Sequence, residues 1–429
     1  MKKPKSQKFL LNLFLLFFSP TNLFSYQANH FVLENSLELF SIQDKNTTQC
    51  KVFYLNDAGF SIQDPETTGF AELYQKIFWK TNPDFAKASS QLMMSSIESY
   101  CQQEKAIFSY SVNAENLEKS LLLLSKQLKT PIYKDSDILE ILTEIKKRET
   151  KLHTQPEGFI SATIDSTVFS SSPWKRSSCA WPELIASYKP DKARTVLTKI
   201  QKEHYCSEKS TLVIVSPYTD EEVLDFVKSN FADWKRSGNT KKFKVEAKSN
   251  DTKNEKKFVL VTDAISNEFV QIAVQFKDEK FFYENENKNL ARIYSVALEN
   301  ETSRFKQSLC ENKKLGIIAE EYINANFQEE NKNSRFIIQS LMQAGLTSPC
   351  DQEKDFLQAI YSYSKLEDYE LYYAQKEIEK QNIFAQNSAT EFAQSLIYKL
   401  GSGANLTSGA ELNSGSKLDS GAELDSAAN

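Results

Sequence analysis

Histidine is scarce in this sequence. The 429 residues contain three histidines, His30, His153 and His204. None of them has a serine or cysteine at a spacing typical of a nucleophilic hydrolase. We therefore interpret each histidine as a surface or interface residue, and no catalytic triad is indicated.

The six cysteines also lack the spacing of a metal site. They are Cys50, Cys101, Cys179, Cys206, Cys310 and Cys350, with no C-x-x-C pair among them. A cysteine metal cluster is therefore not indicated. In an exported protein some of them could pair as disulfides, but the connectivity cannot be read from sequence, and buried free thiols are the equal alternative.

No excess of basic charge is present. The formal net charge is -5, and the basic residues form no cluster beyond the amino terminus. Nucleic acid is therefore excluded as an expected partner, and phosphate binding is disfavoured. The length is sufficient for two domains, each with its own core.

Long apolar runs are absent except at the start of the chain. Lysines at positions 2, 3, 5 and 8 precede the apolar run Phe9–Phe18, and Ser25 is a plausible cleavage point. This pattern is typical of a secretory signal peptide, here residues 1–25. We expect an exported protein, periplasmic or secreted, with no membrane span after signal cleavage. An uncleaved membrane tether is the alternative.

The most informative stretch is Leu55–Lys80, in which a predicted strand leads into a predicted helix. Asp64-Pro65-Glu66 is typical of a helix start, so we predict a helix over residues 66–80. Its apolar residues recur at three- and four-residue spacing and form one stripe: Phe70, Leu73, Tyr74, Ile77 and Phe78. The pattern places Glu72, Gln75, Lys76 and Trp79 on the opposite flank, where Glu72 and Lys76 would form a surface ion pair.

The phrase Gly69-Phe70-Ala71-Glu72-Leu73-Tyr74-Gln75-Lys76 resembles the zinc-binding helix of the insulinase/pitrilysin metallopeptidases, the inverzincins. In that family two histidines bind zinc and a glutamate activates water. The corresponding positions here are Glu72, Gln75 and Lys76. A lysine ammonium offers zinc no lone pair, and a glutamine amide cannot act as a general base. The resemblance therefore implies a degenerate, non-catalytic member.

Two further regions resemble family elements and follow the motif helix in the same order along the chain. The predicted hairpin Ser99–Val112 corresponds to the one whose first strand takes up a peptide substrate as an added strand, which points to Ser99, Tyr100, Cys101 and Gln102. An ordinary edge strand is the alternative. The predicted helix Asp137–Thr150 resembles the one that carries the third zinc ligand, and we match that ligand to Glu144.

The second half of the chain repeats the strand and helix order of the first. We predict an α+β fold with two related domains, each a mostly antiparallel sheet packed with helices, as in half of an insulinase-like clam-shell. The expected ranges are 30–235 for the first domain, 236–257 for a polar linker, and 258–400 for a shortened second domain. Residues 401–429 repeat a six-residue unit with one leucine each and are read as a disordered tail.

The second domain also departs from the family at its substrate-contacting positions. Family members have an arginine and a tyrosine after a Ser-Arg-Leu phrase, whereas this chain has Cys310 and Ile317 after Ser303-Arg304-Phe305. Neither residue supplies a cation or a strong hydroxyl donor to an oxyanion.

The leading hypothesis is an exported, inactive insulinase-like protein without cofactor. It would bind peptide or act as the non-catalytic subunit of an active zinc peptidase, in a hetero- or homodimer. A zinc metalloendopeptidase with atypical ligands, drawn from Glu72, Glu144 and His153, is the alternative from the enzyme class. An exported binding protein that retains only the fold is the third hypothesis.

Overall fold

The computed structural model describes residues 26–167, 175, 182–237, 267–274, 285–317, 319–330, 334–343, 354–358, 363 and 365–401. The expected signal peptide, most of the expected linker and residues 402–429 lie outside these ranges. Cys179 and Cys350 lie outside them too.

Six described strands form the first sheet. They are β1 Ala28–Val32, β2 Glu38–Gln43, β3 Gln49–Asn56, β4 Ser95–Cys101, β5 Ala106–Asn113 and β6 Ser210–Ser216. The strand order is β1-β2-β6-β3-β5-β4. All neighbours are antiparallel except β2 and β6, which are parallel. Strands β1 and β2 form a hairpin around Glu34–Ser36.

The helices of the first half follow the predicted apolar periodicity. They are α1 Phe70–Ile77, α2 Phe85–Gln91, α3 Leu117–Lys129, α4 Asp135–Thr154, α5 Pro156–Thr167, α6 Pro182–Ser187, α7 Pro190–His204 and α8 Asp220–Phe231. On α3, Leu121 is buried and Leu122 is 46% exposed. The inward face passes through Leu117, Leu121, Leu124 and Leu128, so Leu122 lies off its axis.

Both faces of the first sheet are buried. On β3, Val52 and Tyr54 contact a core formed with the helices that follow in sequence. The alternate residues Phe53 and Leu55 contact a second core on the other face. Because successive side chains of a strand point to opposite faces, this burial explains why β3 and β6 are apolar almost throughout.

The second core is closed by a helix from the far end of the chain. Helices α9 to α12 cover Asn285–Glu299, Arg304–Glu311, Asp368–Phe384 and Ala389–Gly401. On α12, Phe392, Leu396 and Ile397 are buried against the first sheet. This helix lies within the sequence range expected for the second domain but packs on the first.

The second half contains its own antiparallel sheet and core. Its strands are β7 Asn267–Val274, β8 Asn324–Gln328 and β9 Arg335–Gln343, in the order β7-β9-β8. The expected α+β fold with two sheet-and-helix units is thus confirmed. Helices α9 and α10 follow one another closely in this half. They are separated at residues 300–303, where Ser303 caps α10 by accepting a hydrogen bond from Lys306 N–H at 3.2 Å.

Four described cysteines are free thiols: Cys50, Cys101, Cys206 and Cys310. In the described ranges no helix has the length and apolar character needed to cross a membrane.

Candidate functional site

The motif helix begins later than its sequence predicted. Asp64 does act as a cap, but for a turn: its Oδ1 accepts hydrogen bonds from the N–H groups of Glu66 and Thr67, each at 2.9 Å. Gly69 then has φ 90°, a left-handed conformation that favours glycine, and α1 starts at Phe70. A 3₁₀ turn continues α1 over Phe78–Lys80.

The predicted apolar stripe of α1 is buried, but Glu72 and Gln75 are buried as well. The expectation that Glu72 and Lys76 form an ion pair at the surface is therefore corrected. Lys76 Nζ does lie 3.9 Å from the Glu72 carboxylate, but the Glu72 side chain is buried, with 6% exposed. The polar flank of α1 is covered because helix α4 packs against it.

Arg148 of α4 is the main partner of Glu72. Its two terminal nitrogens bind the two carboxylate oxygens of Glu72, with Nη2 2.5 Å from Oε2. This two-pronged arrangement is the geometry in which a guanidinium binds a carboxylate most strongly. Burial lowers the pKa of Arg148 and the neighbouring charges of Glu72 and Glu149 raise it, with a net rise.

Glu149 completes the cluster from the same helix. Its Oε1 accepts hydrogen bonds from Arg148, including one from Nε at 3.1 Å, and its side chain is 1% exposed. Burial raises the pKa of Glu149, Arg148 opposes this rise, and the charge of Glu72 adds to it. We call Glu72, Lys76, Arg148 and Glu149 the charged cluster. Its two carboxylates are balanced by two fixed cations.

Glu144, which the sequence matched to the third ligand position, does not face the motif helix. Glu144 is exposed, whereas Glu149 is the carboxylate that faces α1. A signal for this was present in the sequence: Glu149 lies four residues after Ile145 and seven after Leu142, and so continues the buried stripe of α4. His153 lies in α4, and its side chain is outside the described part of the chain.

These residues do not fit a zinc ion. Arg148 places a guanidinium, which has no lone pair and does not lose its proton, between the two carboxylates. Lys76 adds a second positive charge. Over the described ranges, no group of three or more His, Cys, Asp and Glu side chains could hold a metal ion.

Gln75 points to a different neighbour, the strand β4. Its Nε2 donates a hydrogen bond to the backbone oxygen of Ser99 at 2.8 Å, and Ser99 Oγ also lies within hydrogen-bond distance. β4 pairs with β5 and is the last strand on its side of the sheet. Ser99, Tyr100, Cys101 and Gln102, the residues matched to the peptide-binding strand, therefore lie at an edge, with Gln102 just beyond its end.

The far end of this edge contacts the second half of the chain. The Glu330 carboxylate, just after β8, accepts backbone hydrogen bonds from Gln103 and Glu104 in the β4–β5 turn. Burial, together with the charge of Glu104, raises the pKa of Glu330 to about 7.

Cys310 and Ile317 lie away from the charged cluster. Both are partly buried and pack against the core of the second half, where Phe305 and Leu309 also lie.

Comparison with known proteins places this geometry in context. Residues 193–365 match the family model described as the peptidase M16 inactive domain. Among solved structures, a protease from Helicobacter pylori has 14% identity and a TM-score of 0.66 over 90% of this chain and 93% of its own. A peptidase M16 inactive domain from Pseudomonas fluorescens has 11% identity and a TM-score of 0.67 over 90% of each chain.

A third solved structure is longer. The periplasmic protease PqqL from Escherichia coli has 11% identity and a TM-score of 0.62 over 90% of this chain, which spans 43% of that protein. At these identities the likenesses establish the fold. No curated protein matches the sequence. The resemblance to the insulinase family is confirmed by the family model and by the shared fold.

Proposed function

We propose that this chain, a member of the insulinase (M16) family, is a non-catalytic homologue that binds an extended peptide segment along the edge of β4. The observation that carries the proposal is the charged cluster, in which Arg148 joins Glu72 and Glu149 at the place where the motif helix and the third-ligand helix meet. We further propose that the protein is exported.

The loss of catalysis is argued from three positions. The Glu72 carboxylate forms ion pairs with Arg148 and Lys76, so these cations occupy the oxygens that a metal ion would need. Gln75 has an amide where a general base would be needed, and the amide is held by Ser99. Glu149, the other carboxylate of the charged cluster, does not restore the base, because its Oε1 is bound by Arg148 and its side chain, 1% exposed, is shielded from water.

The binding of a peptide is argued from β4. Hydrogen-bonded and non-bonded pairs alternate along an antiparallel ladder. Gln102 N–H donates to Lys105 O at 2.7 Å, so Gln102 and Lys105 form a hydrogen-bonded pair. Counting in steps of two along the register, the backbone groups of Tyr100 and Glu98 also bond to β5, opposite Ile107 and Ser109. Ser99 and Cys101 therefore direct their backbone groups outward, toward the place where an added strand would lie.

The first test is the zinc content of the purified chain, residues 26–429, by elemental analysis after mild desalting. We expect close to no zinc per chain. About one zinc per chain would overturn the non-catalytic assignment and favour an enzyme with atypical ligands.

The second test is binding of a degenerate library of ten-residue peptides to the immobilised chain, quantified by mass spectrometry. A library N-methylated at every residue is the control, because it has no backbone N–H group left to donate to the outward oxygens of β4. We expect retention of the first library and loss of the second. Equal retention of both would refute strand addition.

A further inference from the structure

Each half of the chain has an edge strand with a helix packed beside it. The two helices differ in how many outward backbone groups of that strand their side chains bind. In the second half, β8 is one of the two edge strands of the described sheet, and α9 packs beside it. Ser295 of α9 donates to Ala325 O at 2.6 Å and accepts from Phe327 N–H at 3.1 Å. Glu299 accepts from Ala325 N–H. Helix side chains thus satisfy three successive outward backbone groups, and β8 offers little to an added strand.

In the first half, α1 is packed beside β4 and contributes one such contact. Gln75 Nε2 donates to Ser99 O, and Ser99 Oγ donates to Gln75 O at 3.5 Å. Ser99 O is one of the outward acceptors that the register of β4 assigns to an added strand. Gln75 therefore occupies a hydrogen-bonding position of the incoming peptide.

The residue type at position 75 decides whether this contact can form. An amide nitrogen donates to a carbonyl oxygen, whereas a carboxylate at the same position accepts only and would be repelled by it. Gln75 is itself buried, so its amide loses one of its two acceptors and keeps only Ser99 Oγ if Ser99 O is taken by another donor.

We propose that Gln75 is a latch on the β4 edge, which a peptide strand must displace from Ser99 O before it can pair fully with the sheet. This inference rests on the peptide-binding function proposed above and adds its regulation: the edge of β4 is partly closed by the chain's own side chain, and β8 is closed more completely. Peptide affinity is therefore set by position 75 as well as by the strand.

The test uses the same peptide libraries with the variants Gln75→Ala and Gln75→Glu. Both remove the donor, and we expect about fivefold more retained peptide, the equivalent of one hydrogen bond. Lys80→Ala is the matched control, because Lys80 lies in the turn that extends α1 and pairs with Glu140 at 2.8 Å, away from β4. We expect it to behave as wild type.

The outcomes separate the latch from the function on which it rests. Equal retention by wild type, Gln75→Ala and Lys80→Ala, with loss of the N-methylated library in each case, would refute the latch and leave strand addition standing. No retention by any variant, Gln75→Ala included, would refute strand addition itself. A Gln75→Ala gain that persists with the N-methylated library would refute both, because the added binding would not involve the strand ladder.

Discussion

Replacement of Arg148 by methionine is the sharpest test of the charged cluster. The change keeps most of the apolar stem and removes the guanidinium, which leaves Glu72 and Glu149 with side chains 6% and 1% exposed and with Lys76 as the remaining nearby cation. Leaving a buried charge without its partner costs about 3–5 kcal/mol.

Two effects reduce this magnitude. Arg148 is 46% exposed, so water screens part of its attraction for the carboxylates. The abandoned carboxylates can also take up protons, which limits the penalty at low pH. We therefore expect Arg148→Met to lower the free energy of unfolding by about 2–3 kcal/mol at pH 8.

The pH dependence gives a second check with a defined sign. In the wild type the pKa of Glu149 is already raised in the folded state by burial. A raised carboxyl pKa contributes stability below the unfolded pKa, and this contribution is lost as the pH rises through the folded pKa. Without Arg148 the folded pKa should rise further, so the difference between variant and wild type should be largest at pH 8 and should shrink toward pH 5.

Urea unfolding followed by tryptophan fluorescence is a suitable assay, because all four tryptophans lie between residues 79 and 234, in the first half. Arg194→Met is the matched control: Arg194 pairs with Asp135 and Asp191, whose side chains are 54% and 91% exposed, and we expect a loss below about 1 kcal/mol. An Arg148→Met loss no larger than that of the control, or one independent of pH, would refute the cluster as a compensated buried site.

Three further predictions concern other parts of the fold. Phe392→Ala should destabilise the first half by about 3–5 kcal/mol in the same fluorescence assay, because Phe392 of α12 is buried on the first sheet. Ile383→Ala is the control and should have little effect, because Ile383 is 61% exposed. Similar effects of both changes would contradict the packing of α12. Glu330→Gln should become more stable relative to wild type as the pH rises from 5 to 8. The pKa of Glu330 in the folded state is raised to about 7, so the stability that wild type gains from this raised pKa is lost as the pH rises through 7. Urea unfolding midpoints, followed by circular dichroism, that change equally with pH in variant and wild type would contradict this. Burial lowers the pKa of His204 to about 4, so wild-type stability should fall as the pH drops from 6.5 to 4, and His204→Asn should flatten this fall in the same urea series.

Local sequence patterns predicted most elements of the first half because burial follows periodicity. The apolar stripe of α1 lies where the residue spacing placed it, and the hairpin predicted over Ser99–Val112 is present as β4 and β5, although β4 begins at Ser95. Boundaries were less accurate where a turn competes with a helix start, as at Asp64, whose side chain satisfies a turn before Gly69.

The candidate site was only half predictable. The residue types at positions 72, 75 and 76 argue against a zinc peptidase by their chemistry alone, because that argument needs no coordinates. The match of Glu144 relied on a sequence phrase, whereas the helical face of α4 places Glu149, and not Glu144, toward α1. Nothing local indicated that Arg148 would bind Glu72, since their separation of 76 residues is closed only by the packing of α4 on α1.

The sequence by itself determined which chemistry positions 72, 75 and 76 can supply and which faces of the strands and helices are apolar, since both depend on residue type and short-range spacing. The tertiary structure alone decided that Glu72 is buried, that Arg148 and Glu149 join it, that Gln75 reaches Ser99, and that α12 covers the first sheet. These contacts join residues far apart in the chain, and their geometry depends on how whole helices pack against the sheet.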